Sequence, residues 1–79
     1  MILFLQTVLD ILARGGSLRM PAKGVFPDVM AQYARAASAG GGFIEFVVGD
    51  AALFPNVLND VTVAGAGHIR WDFVSATEQ

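Results

Sequence analysis

A glycine followed by a short alternating run of apolar and polar residues occurs three times in this chain, and the spacing leaves few folds open. The runs are Gly16-Ser17-Leu18-Arg19-Met20, Gly42-Phe43-Ile44-Glu45-Phe46 and Gly67-His68-Ile69-Arg70-Trp71, with their glycines 26 and then 25 residues apart. Recurrence at such a period is the mark of stacked supersecondary units. Further positions repeat with it: Phe26-Pro27-Asp28-Val29-Met30 returns as Phe54-Pro55-Asn56-Val57-Leu58, Gln6 matches Gln32, and Ala13, Ala39 and Ala64 precede the glycines.

Between the glycine-led runs the apolar residues follow a helical period. Leu5, Val8, Leu9 and Leu12 share one face of a helix spanning about residues 2–14. Met30, Tyr33, Ala34 and Ala37 do the same over 27–39, with Asp28, Gln32 and Arg35 opposite. The segment 55–64 carries β-branched Val61-Thr62-Val63, which suits a strand better, yet the repeat assigns it to a helix. Pro27 and Pro55 suit first-turn positions, where a missing N–H costs nothing. Gly15, Gly40 and Gly65 fit the left-handed residue that ends a helix.

Each unit thus reads helix, glycine, strand. Strands joined through helices are parallel. The expected architecture is an α/β fold made of one domain over residues 1–79, with two layers. Its three-stranded parallel sheet has order 1-2-3, and all helices cover one face. The period falls in the leucine-rich-repeat range, but the asparagine and leucine ladder of that family are missing, so membership is not claimed.

Alternation sorts the strand residues by face. Leu18 and Met20, then Ile44, Phe46 and Val48, then Ile69, Trp71 and Phe73 point toward the helices. The opposite face carries Ser17 and Arg19, then Phe43, Glu45 and Val47, then His68, Arg70 and Asp72. In register, Arg19, Glu45 and Arg70 form one row, a carboxylate between two guanidiniums. Such a row on a solvated surface is a common ion-pair arrangement of small energetic weight. Phe43 and Val47 are less easily explained, because nothing in the chain covers that face.

Composition points the same way. The chain has 79 residues, 54% of them hydrophobic and 15% charged, with net charge −2. A domain this short cannot hide so much apolar surface alone. The expectation is therefore a non-catalytic interaction module that self-associates, as a homodimer through the uncovered sheet face (Phe43, Val47, Arg19, Glu45, Arg70) or through Phe4 and Ile11 on the first helix. An unidentified protein partner in place of the second copy is the neighbouring possibility.

Other chemistry finds little support. The chain has no cysteine, which excludes disulfides and thiolate chemistry. No basic run offers a nucleic-acid footprint. The segment Met1–Arg14 is too short and too interrupted by Asp10 to span a membrane, and it lacks the positive start of a secretory signal; a cytoplasmic location is expected. Phosphate loops run strand, glycines, helix, the reverse of the order here. Ser17 and His68 share a face but sit two strands apart, roughly 9–10 Å, too far for a nucleophile and its base. His68, the only histidine, and Asp72 show no metal-ligand spacing, so no cofactor or metal is expected. The alternative reading is a small-molecule or enzymatic site in the loops at the carboxyl ends of the strands, around Lys23 and Asp50.

Overall fold

The computed structural model describes residues 2–49 and 53–73, with side chains from Leu5 onward. Three helices alternate with three strands: α1 (Ile2–Ala13), β1 (Leu18–Pro21), α2 (Pro27–Gly40), β2 (Ile44–Val47), α3 (Pro55–Gly65) and β3 (Ile69–Asp72). The sheet is parallel in order β1-β2-β3, so each strand lies beside its sequence neighbour and helices form the second layer. The register pairs Leu18 with Ile44 and Ile44 with Ile69, offsets of 26 and 25 residues that reproduce the sequence period.

The core lies between the layers. Met30, Tyr33, Ala34 and Ala37 of α2 are all buried, as are Leu12 of α1, Val61 of α3, and Ile44 and Phe46 of β2. Leu5, Val8 and Leu9 pack against this cluster from α1. The middle unit therefore supplies most of the interior, since it alone has a neighbour on each side. Phe46 is fully buried and lies 5.4 Å from the Trp71 ring, centroid to centroid, in a tilted pair.

α3 is a helix despite its β-branched run, for reasons that follow from position. Val61 is buried, and Val63 is 78% exposed, out of contention for the core. Between them, the Thr62 hydroxyl donates to the Leu58 carbonyl (2.7 Å) and accepts the Trp71 indole N–H (2.8 Å), which ties α3 to β3. A threonine in a helix commonly bonds back to the preceding turn; here its second bond is a tertiary one.

Gly15 ends the first helix as the sequence predicts, and the other two stops lie one residue beyond expectation. The left-handed residues after the three helices are Gly15 (φ 91°), Gly41 (φ 85°) and Ala66 (φ 48°), and Gly40 and Gly65 are still helical. These two glycines serve close packing. A Cβ on Gly40 would overlap the Leu12 carbonyl oxygen of α1, and one on Gly65 would come within 2.8 Å of the Ile69 side chain. Counting back from the paired strand residues, Arg14 holds the same position in the first unit, where no preceding helix has to be approached. Phe73 also departs from expectation: it is 53% exposed, because β3 ends at Asp72 and strand alternation ends with it.

Candidate interaction face

The outer face of the sheet is built of three rows, one residue per strand. Arg19 is opposite Glu45, and Glu45 opposite Arg70, as alternation requires. Toward the strand ends come Pro21, Val47 and Asp72. At the strand starts, Ser17, Phe43 and His68 form a third row, because the Leu18 N–H donates to the Phe43 carbonyl and the Ile44 N–H to that of His68.

Side-chain bonding within these rows departs from the simple sequence picture of one carboxylate between two guanidiniums. Arg19 is the bridging group: its Nε lies 3.5 Å from Glu45 Oε2, and its Nη2 donates to Asp72 Oδ2 at 2.8 Å, passing over β2 to reach β3. The hydrogen bond to Asp72 is the main influence holding the Arg19 guanidinium above its ordinary pKa, with the Asp72 and Glu45 charges adding to it. Arg70 turns the other way. Its guanidinium carbon sits 4.5 Å above the centroid of the Phe43 ring, a cation–π contact, and among the described residues Arg70 forms no ion pair. The reason is reach: a long arginine on edge strand β1 can span two strands to meet both carboxylates, which leaves Arg70 over the aromatic ring.

The starting row is pinned to backbone. Ser17 Oγ accepts the Phe43 N–H (3.1 Å), and His68 Nδ1 lies 2.8 Å from the Gly42 carbonyl, so that nitrogen carries the proton and donates. The His68 and Phe43 rings are 5.6 Å apart. Ser17 and His68 are thus each bonded to the lead-in of β2 rather than to one another. Phe43 is half-buried, shaded by Arg70 and His68, and Val47 is half-buried as well. An open depression of about 260 Å³ lies on this face, lined by Ser17, Leu18, Arg19, Phe43, Glu45 and Arg70.

Of the first-helix candidates, Ile11 is 38% exposed, but it folds over the turn: a Cβ on Gly16 would stand 2.6 Å from its Cγ2. Phe4 lies outside the residues whose side chains are described. At the strand ends Lys23 is exposed, and Asp50 lies outside the described residues. Sequence reasoning passed over what stands there instead: Phe26 is 75% exposed and Phe54 70%. Each is the residue capping a helix N-terminus, with proline next. The signal was the repeated Phe-Pro pair, since a capping residue precedes the helix and need not share its apolar face.

Among the described residues there is no group of three or more metal-ligating side chains, and no helix is long and apolar enough to cross a membrane. Comparison with protein-family models, with curated proteins and with solved structures found no match.

Proposed function

We propose that this chain is a non-catalytic interaction module that self-associates, as a homodimer joined through the outer face of its sheet. The observation that carries this reading is the two-layer build: every helix packs on one side of β1-β2-β3, leaving Phe43, Val47 and the charged row on the other. The face is also electrically balanced, with Arg19 and Arg70 against Glu45 and Asp72. A surface of that kind can meet its own copy without net repulsion, which an all-acidic or all-basic face could not.

Extension of the sheet by adding copies edge to edge fits less well. Within the chain α2 approaches α1 through Gly40; a further copy arriving at α3 would present Arg14 at the equivalent position. Face-to-face pairing needs no such approach.

Sedimentation equilibrium at up to about 0.5 mM tests the reading, a concentration at which even a small contact is populated. The expected result is a mass near twice 8.3 kDa. Phe43→Asp should return the monomer while leaving the far-ultraviolet circular dichroism unchanged. A wild-type chain monomeric throughout that range refutes self-association, and an unchanged dimer in Phe43→Asp moves it off this face.

A further inference from the structure

We infer that the two copies pair about a two-fold axis running along the strand direction between β2 and β3, so that Arg70 of each protomer binds the partner's Glu45. This inference rests on the self-association reading and adds the position of the axis and the residues that recognise the second copy.

Charge placement selects the axis. For two sheets meeting face to face, the two-fold axis lies in the plane between them. If it ran across the strands through the middle row, each residue would face its own copy, setting Arg70 against Arg70 and Glu45 against Glu45. An axis along β2 again sets Glu45 on Glu45, and Arg19 on Arg70. Both arrangements oppose like charges, which costs affinity. An axis between β1 and β2 sets Arg19 on Glu45, but Arg19 already bridges Glu45 and Asp72.

The axis between β2 and β3 uses groups with capacity to spare. Arg70 has no carboxylate among the described residues, although Glu45 is its direct neighbour in register. Among the described residues Glu45 receives only the 3.5 Å contact from Arg19, through one of its two oxygens. Guanidinium and carboxylate both line the same depression, together with the Phe43 ring that Arg70 overlies. Stacked sheets lie about 10 Å apart, a gap that an arginine and a glutamate reaching toward each other can close. The same axis lays Phe43 over the partner's His68 and Val47 over the partner's Asp72. Phe43 thereby gains a second aromatic neighbour.

The contact is small. About this axis only β2 and β3 face the partner, and two strands about 4.8 Å apart with five residues of about 3.3 Å each give a footprint on the order of 10 by 17 Å. A standard interface buries about 800 Å² per partner, so this dimer belongs to the weak, reversible class and its charge pairs should matter in proportion.

Two opposite charge reversals test the pairing. Arg70→Glu makes both members of the contact acidic, and Glu45→Arg makes both basic. Each variant alone should sediment as a monomer, while an equimolar mixture should recover the dimer, because acidic and basic faces then meet. Recovery on mixing arises only between subunits, so rearranged ion pairs within one chain cannot imitate it. A dimer in either variant alone, or a mixture that stays monomeric, overturns the pairing and leaves self-association standing. A monomeric wild type overturns both. Should a reversal fail to fold, Arg70→Gln keeps the stem over Phe43 and should weaken the dimer at least about tenfold; an unchanged dissociation constant overturns the pairing.

Discussion

The two faces of this sheet are made from the same three strands, yet one is closed and the other has room. On the helix side Ile44 and Phe46 are fully buried, and the helices above them approach so closely that Gly40 has no space for a methyl group. On the outer side Phe43, Glu45 and Val47 alternate with those residues and stay half-exposed, held by a bridging arginine and a stacked one. One residue of displacement along a strand separates a position closed into the core from one that stays at the surface.

The largest consequence is an unequal response to truncation at neighbouring aromatics. Phe46→Ala leaves a cavity against Trp71 and should cost about 3–5 kcal/mol. For a chain of this length total stability is on the order of 4–12 kcal/mol, so the variant should lose from about a quarter of it to all of it. Phe43→Ala, on the outer face, should cost the isolated monomer about 1 kcal/mol or less, the scale of a partly solvated cation–π contact. Urea melts of both variants at dilute concentration measure the difference. Similar losses at the two sites would mean that the faces are not mechanically distinct.

Gly40→Ala probes the closed side without removing anything. Alanine returns up to about 1 kcal/mol of helix propensity, but its methyl would meet the carbonyl of Leu12, which cannot rotate away. Overpacking of about 1–3 kcal/mol should win, giving a net loss of stability and a displaced α1. A variant as stable as the parent would show that α1 can slide over α2, and that the helix layer has slack of its own.

The sign reverses at the turn that joins α3 to β3. Ala66 holds φ at 48°, where Gly15 and Gly41 stand in the other two units. A left-handed conformation costs a non-glycine residue roughly 1–2 kcal/mol. Ala66→Gly should recover about 1 kcal/mol after the entropy of a looser unfolded chain is counted, raising the melting temperature by about 4–8 °C. No gain, or a loss, would show that this turn is set by the Trp71–Thr62 tie rather than by its own backbone.

These sites also mark how far the fold could be read from sequence. Strand order, register and the four buried residues of α2 were legible because two periods, 26 and 3.6, agreed. Where a helix ends inside Gly40-Gly41-Gly42 was not: any of the three can take a positive φ, and only contact with α1 decides. Nor does any local rule place an alanine in the left-handed region. The charged row was visible as a row, but its bonding was not. Alternation aligns Arg19 with Glu45, whereas the reach to Asp72 depends on a side chain crossing a whole strand. Phe26 and Phe54 were seen as matched letters of a repeat. Their exposure follows from standing at the capping position, which periodicity does not report. The Phe43 ring lying beneath Arg70 belongs to the same class of fact.

The smallest expected effect concerns charge rather than shape. Tyr33, the chain's only tyrosine, is buried on the helix side, and desolvation raises its phenol above the ordinary value near 10. In the folded chain the proton is therefore kept at pH values where the unfolded chain has begun to lose it. Folded molecules then bind more protons than unfolded ones, so stability must fall as pH rises through the unfolded value. Urea midpoints measured from pH 9 to 11 should decline in the parent and decline less in Tyr33→Phe, with ionisation followed by tyrosinate absorbance. The outer-face pair Arg19–Asp72 should contribute nothing to the slope in that window, because its groups keep their charges throughout. Equal slopes in parent and variant would show that the closed side admits water at Tyr33, and with it a milder contrast between the two faces.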